Sequence, residues 1–245
     1  MDILYVVGFG SKWENNELRY SLRSIERYGR NVGSVFIVGH KPDFVSDIVT
    51  HIPCGDETNR KHKNILRKVI TAMSNSNISS HFIVSSDDHF YTREVDFDSF
   101  PIYYQAREIQ TKPTDGKAPN NYHRSLAQTK EILIKWGLPT FQTNPHCNTH
   151  FDADMYKFYY PLFAEAMELE YGGEMNCLMG NILIHERNII PQRFADKKID
   201  LFKNIPDLVR QIDGVECFSI SDNAVHCGIG GYLQTTYPNK SKYEK

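Results

Sequence analysis

Ser80-His81-Phe82-Ile83-Val84-Ser85-Ser86-Asp87-Asp88-His89-Phe90 is the stretch whose reading decides the fold. A short apolar run bounded by polar residues has the length of a buried strand. This one ends abruptly in two adjacent carboxylates and an imidazole. Ligands of open α/β sheets bind just outside the carboxyl ends of such strands. Two aspartates placed there repel each other unless a cation or hydrogen-bond donors compensate them. A divalent metal holding a nucleotide diphosphate is the simplest compensation, because hard oxygen ligands suit Mg2+ or Mn2+. A solvated Asp-Asp turn that caps the next element is the plainer alternative.

Working toward the N-terminus, the segments alternate. Ile3 to Val7 predicts a first strand, and Gly8-Phe9-Gly10-Ser11 the turn after it. Gly8 lets backbone approach a nucleotide there, although the pattern is not a dinucleotide fingerprint. Leu18, Leu22, Ile25 and Tyr28 recur at helical spacing and Gly29 follows them, so a helix is expected from Asn15 to Tyr28. Val35 to Gly39 predicts a second strand, and Val45 to Ile52 a turn with an edge strand. Asp56 to Ser74 reads as a loop feeding a basic helix. Its Arg60, Lys61, Lys63, Arg67 and Lys68 form a cluster suited to a diphosphate, or else a solvated helical face. This alternation predicts an α/β fold, a three-layer αβα sandwich with a mostly parallel central sheet.

Beyond the aspartates the texture changes. Tyr103 to Ala106 suggests a further strand, Thr111 to Asn121 a loop rich in turn residues, and Arg124 to Trp136 an amphipathic helix. Asn144 to Asp152 concentrates titratable groups, with His146 and His150 four residues apart, ahead of a helix expected from Asp152 to Met167. His150 or Asp152 is the candidate base on the acceptor side; a capping histidine is the alternative. Phe218 to His226 is again a strand running into a polar cluster, a source for a contact that closes the site opened by Asp88. A short helix and a packed terminus are expected after Gly230. The expected division is a single domain, 1–245, with a donor half to about residue 105 and an acceptor-side helical half from 106.

Composition narrows the functional classes. Twenty-eight Lys and Arg against 30 Asp and Glu leave a net charge of −2, no footprint for nucleic acid or an anionic membrane. No window approaches the roughly 18 apolar residues of a spanning helix. The first residues lack the basic start of a signal peptide. Five scattered cysteines form no CxxC pair, against both a disulfide framework and a zinc knuckle. A cytoplasmic location is the expectation.

Taken together, several segments resemble the Stealth family of sugar-phosphate transferases. Asp2 to Val7 is similar to the family's opening strand, and Asn16-Glu17-Leu18-Arg19-Tyr20-Ser21-Leu22-Arg23-Ser24-Ile25-Glu26-Arg27-Tyr28 to its second-region signature. Phe82 to Phe90 resembles the family's strand ending in Asn-Asp-Asp, with Ser86 in place of the asparagine. The stretch around His146 and His150 matches the third region more weakly. Ser221 to His226 and Tyr237 to Glu244 resemble the fourth region's Asn-Asp-Asn and Phe-Pro-x-x-Ser-x-x-Glu.

The resemblance implies a GT-A-like fold, a nucleotide-sugar donor and a divalent metal. An Arg-rich element expected near Glu174-Met175-Asn176 is not recognisable, which shifts the expected reaction from sugar-phosphate transfer toward ordinary glycosyl transfer. On this reading Asp88 and His226 hold Mg2+ or Mn2+. Asp87 faces the donor's ribose or sugar hydroxyls, and Gly8, Arg19, Arg60, Lys61, Lys63 and Asn223 are the remaining candidates for donor contacts. The donor is an NDP-sugar, a UDP-sugar among the options, and the acceptor a glycan or other hydroxyl. Three alternatives remain at this stage: a Stealth-type sugar-1-phosphate transferase, a glycosyltransferase of modified DNA bases (disfavoured by the charge), and a non-catalytic sugar-nucleotide-binding module.

Overall fold

The computed structural model describes residues 1–113, 116–195 and 197–245. Its strands are β1 (Asp2–Val7), β2 (Gly29–Arg30), β3 (Val35–Gly39), β4 (Thr50–Ile52), β5 (His81–Ser85), β6 (His89–Tyr91), β7 (Val95–Asp96), β8 (Tyr103–Tyr104), β9 (Thr149–Asp152), β10 (Gln192–Arg193), β11 (Lys198–Ile199) and β12 (Cys217–Ile220). Its helices are α1 (Asn16–Tyr28), α2 (Lys61–Asn75), α3 (Asn121–Lys135), α4 (Ala153–Phe158), α5 (Tyr160–Glu168), α6 (Met175–Glu186), α7 (Ile205–Ile212), α8 (Asp222–His226) and α9 (Ile229–Thr236). The loop expected from Thr111 to Asn121 includes Thr114 and Asp115, which lie outside the described residues.

The central sheet has the order β4-β3-β1-β5-β9. The first four strands run parallel and only β9 is antiparallel. Alternation along β1 explains the layers, because successive side chains of a strand point to opposite faces. Ile3, Tyr5 and Val7 pack with Leu18, Leu22 and Ile25 of α1. Leu4 faces the other way, with Phe36 and Val38, onto Leu66 and Val69 of α2 and Leu178 and Ile182 of α6. Each such side chain, when fully buried, contributes about 1.5–3 kcal/mol. The α/β class and mostly parallel sheet are therefore those the alternation predicts.

Small residues set the close approaches. Ser21 and Ser24 of α1 are fully buried. Ser21 meets the Tyr5 hydroxyl at 3.0 Å, and the Tyr91 backbone N–H donates to Ser24 Oγ at 3.2 Å. Gly39 ends β3 with φ +109°, and a Cβ there would collide with the Val7 carbonyl oxygen.

A second sheet, β11-β12-β6, grows from the residues just after the aspartates, with β12 antiparallel to β6. It brings the C-terminal quarter of the chain back beside β5. Two expectations change here. The polar stretch from Asn144 to Asp152, expected only to lead into a helix, includes strand β9, paired with β5 in register Thr149 to Val84 and His150 to Ile83. The single helix expected from Asp152 to Met167 is two helices, α4 and α5, meeting at Tyr159. Pro161 near the start of α5 lacks an N–H and is placed where a helix begins rather than continues.

Candidate functional site

In the sheet order, the chain leaves β1 toward β3 on one side and returns to β5 on the other. The carboxyl ends of β1 and β5 are thus the topological switch point, where ligands bind in open α/β sheets. A cavity of about 720 Å³ opens there. Ligand sites commonly run from about 300 to 1,000 Å³, so it accepts a nucleotide-sized molecule.

Four groups of residues build its wall. From β1 and its turn come Gly8, Gly10, Ser11, Lys12 and Trp13, and from α1 Glu17. Ser11 Oγ shapes this turn by accepting the N–H groups of Trp13 at 3.2 Å and Asn15 at 2.8 Å. The Trp13 ring stacks on Tyr20, centroids 5.7 Å apart. From β5 come Ser85, Ser86, Asp87 and Asp88. From α2 come Lys61, Asn64, Ile65 and Lys68, whose three- and four-residue spacing places them on one helical face. Opposite, Glu174, Met175 and Asn176 open α6, while Ser221 and Asp222 follow β12.

The electrostatics of this wall are strained by carboxylates. Burial, the neighbouring Asp88 and then Glu17 push Asp87 up to about 7. One Glu17 carboxylate oxygen is buried without a hydrogen-bond partner. His89 Nε2 lies 3.8 Å from Asp88, and His89 Nδ1 is 3.2 Å from Asn148 Oδ1. Glu174 is buried, which raises its proton affinity; its Oε2 accepts from the Cys177 N–H at 2.8 Å, capping α6.

The described residues contain no cluster of three or more His, Cys, Asp or Glu that makes an all-protein metal cage. A hard cation held by one or two carboxylates together with substrate phosphates needs no such cage. The negative charge concentrated at Asp87 and Asp88, with Glu17 beside them, fits a cation bound in that manner.

The structure brings four of the sequence candidates to the cavity: Gly8, Lys61, Asp87 and Asp88. Seven others are placed elsewhere. His150 and Asp152 sit on β9, which runs away from the site: Asp152 pairs with His81, at the opposite end of β5 from Ser85, four residue steps or about 13 Å away. His150 Nε2 donates to the Phe100 carbonyl at 2.7 Å, and its Nδ1 faces His81 Nε2 at 3.1 Å. Burial pushes His150 down to about 4, so the ring is neutral. Asp152 caps α4 through the N–H groups of Asp154 and Met155, and it pairs with Arg187. Both side chains are engaged within the fold, and neither lines the cavity.

The basic and C-terminal candidates divide in the same way. Arg60 pairs with Glu170 at 3.3 Å and covers the Tyr171 ring, and Lys63 packs its stem beside Gly172. Arg19 lies over the Phe44 ring at 4.4 Å and 3.8 Å from Glu244. Asn223 is exposed and donates to Asp200 at 3.1 Å, and His226 is exposed at the end of α8; neither lines the cavity. The residue that β12 does deliver is Asp222.

Sequence reasoning left out Glu17, Glu174 and Trp13 as site residues, and held Lys68 only as a member of the basic cluster. For Lys68 and Lys61 the helical spacing within the basic run was a usable signal. For Glu174, only the tertiary placement of α6 shows it.

No family model and no curated protein matches the chain, so the Stealth resemblance stands on the quoted segments alone. Among solved structures, one similar chain is a glycosyltransferase involved in the glycosylation of the major capsid of PBCV-1. It aligns over 96% of this chain and 98% of its own, at 9% sequence identity and a TM-score of 0.42. At that distance the functional argument rests on the site itself.

Proposed function

We propose that the chain is a metal-dependent glycosyltransferase that moves a sugar from a nucleotide diphosphate to a hydroxyl acceptor. The observation that carries this reading is the juxtaposition, in one nucleotide-sized cavity at the sheet's switch point, of the Asp87-Asp88 pair with Lys61 and Lys68. Carboxylates facing lysines suit a ligand that carries both an anionic diphosphate and a cation.

Asp88, with Asp87, would hold Mg2+ or Mn2+. When bound, the ion supplies charge neutralisation for the diphosphate as it leaves. Lys61 and Lys68 add fixed positive charge at the same place, the electrostatic task that dominates such transfers. The acceptor oxygen attacks the anomeric carbon while the bond from that carbon to the diphosphate oxygen breaks. The bonding pair departs with the diphosphate. The acceptor's proton needs a base at the cavity, and His150 and Asp152 are too far to serve. Glu174 is the candidate in their place: a buried carboxylate of raised proton affinity whose Oε2 is engaged by the α6 cap.

Purified protein incubated with a panel of nucleotide sugars, with Mn2+ or Mg2+ and with or without EDTA, tests the reading. The expected result is metal-dependent release of nucleoside diphosphate. Release of nucleoside monophosphate would instead mean attack at phosphorus and transfer of sugar phosphate. No release, with no donor shifting the melting temperature, would sink the assignment.

A further inference from the structure

Lys68 is the most deeply buried cation at the cavity, its residue only 3% exposed. Burying an ammonium without partners is costly, so its contacts say what the position is built for. Nζ donates to the Val7 carbonyl at the end of β1, at 3.1 Å, and lies 2.8 Å from Asp56 Oδ1. An ammonium has three N–H groups, and these two acceptors use two of them. Room for the side chain is made in the backbone: a Cβ at Gly39 would stand 3.3 Å from Lys68 Cε as well as against Val7. Lys61, seven residues earlier on the same face of α2, lines the same cavity.

The partner of this buried lysine is not buried in the same way. Asp56 is 41% exposed and belongs to the loop that leads into α2, which itself forms cavity wall through Asp56, Thr58 and Asn59. That loop is tied to the helix by Asn64, whose Oδ1 accepts from the N–H groups of Glu57 and Thr58 at 3.3 and 3.2 Å. Asp56 thus presents a half-exposed carboxylate to Lys68 from the loop at the edge of the cavity.

We propose that Lys68 is the diphosphate seat of the cavity and that Asp56 is its internal stand-in, a carboxylate that an incoming diphosphate displaces. The inference rests on the nucleotide-sugar reading for the identity of the ligand, but its chemistry requires only a diphosphate. With ligand bound, Lys68 exchanges one anion for another and is never left uncompensated. Asp56 turns to solvent, which its exposure already permits.

The test is calorimetric titration of the whole chain with inorganic pyrophosphate and with uridine diphosphate, in EDTA. Wild type should bind pyrophosphate without metal. Lys68→Met keeps the stem and removes the charge, and should weaken binding roughly tenfold or more, the scale of a charged hydrogen bond. Asp56→Asn removes the competitor and should tighten binding several-fold. Absence of pyrophosphate binding by wild type, or equal affinity in Lys68→Met, overturns the seat. Unchanged or weaker binding in Asp56→Asn overturns the displacement, and this exposed variant decides that point even if Lys68→Met does not fold. Pyrophosphate binding that behaves as expected in a protein that turns over no nucleotide sugar would sink the glycosyl-transfer reading and leave the seat standing. Turnover of nucleotide sugar with a silent Lys68→Met would do the reverse.

Discussion

At the scale of single residues, the carboxylates of the cavity place function and stability in opposition. Asp87 is held at about 7 by burial and by Asp88 and Glu17, so its charge is a cost to the fold. Asp87→Asn is expected to raise the melting temperature while lowering kcat by about a hundredfold or more, the pattern of a destabilised active site. A melting curve and a rate on the same sample check it; a variant that loses both would mean that Asp87 is structural. Glu174→Gln separates two roles of one side chain. The amide oxygen still accepts the Cys177 N–H and keeps the α6 cap. Stability should therefore stay within about 1 kcal/mol of wild type, while kcat collapses and donor affinity holds. Asp152, by contrast, is expected to affect the fold alone. Removing it from its cap and from Arg187 should cost about 2–4 kcal/mol in denaturant titration, with the residual folded enzyme fully active.

At the scale of elements, α1 and the C-terminal tail form one unit. Arg23 Nε and Nη2 grip the two Glu244 oxygens at 2.8 and 2.9 Å, and Ser241 adds its N–H at 2.9 Å. The Tyr237 hydroxyl donates to the Tyr91 carbonyl at 2.7 Å. Burial alone would raise Glu244, but the Arg23 and Ser241 hydrogen bonds outweigh it and hold the carboxyl below its usual range. A depressed carboxylate stabilises fully above its unfolded pKa, near 4.5, and loses that contribution as pH falls through the folded value. Glu244→Gln should therefore destabilise the protein at pH 7 and make progressively less difference as the pH is lowered below about 4.5; an equal loss throughout would show that packing, not charge, is what the mutation removes. The Asn16 to Tyr28 and Tyr237 to Glu244 segments thus meet each other, and Arg19 and Arg23 do not line the cavity. Arg19 and Arg23 spend their charge on the tail. The sequence shows residue types and spacing, and on those grounds an arginine in a signature helix looks like a donor contact. Only the tertiary partner separates the two roles.

At the scale of the whole molecule, the parts legible in the sequence were those governed by local period. Ile3 to Val7, Val35 to Gly39 and the run ending at Asp87 follow strand patterns, and the Leu18 to Ile25 spacing is helical, so the sheet and its switch point could be read. What long-range pairing decides could not. β9 is invisible as a strand because Thr149 to Asp152 holds a single apolar residue, Phe151, and it exists through pairing with β5. That pairing carries His150 and Asp152 away from the site. Glu174 enters by the opposite route, brought in by the packing of α6. Two half-buried histidines give the molecule a collective pH response. His62 and His150 are each pushed down to about 4, chiefly by burial, whereas unfolded imidazoles protonate near 6.5. Between those values the unfolded chain binds more protons, so stability is complete above about 6.5 and falls as the solution is acidified toward 4. Urea midpoints at pH 7 and pH 5 should differ, by at most roughly 1.4 kcal/mol per pH unit for each histidine, and His150→Gln should shrink the difference. Equal midpoints would mean that these rings are solvated.

The Arg23–Glu244 grip also sets an order of events in synthesis. The two residues are 221 positions apart. A ribosome adding about 5–20 residues per second makes α1 more than ten seconds before its clamp. Through that interval Arg23 lacks its carboxylate partner, and α1, which lends Glu17 to the cavity, is held only by its packing on the sheet until residues 237–244 have been made. A chain cut before Tyr237 would therefore keep every residue that lines the cavity and still lack the contacts that fix α1 beside it.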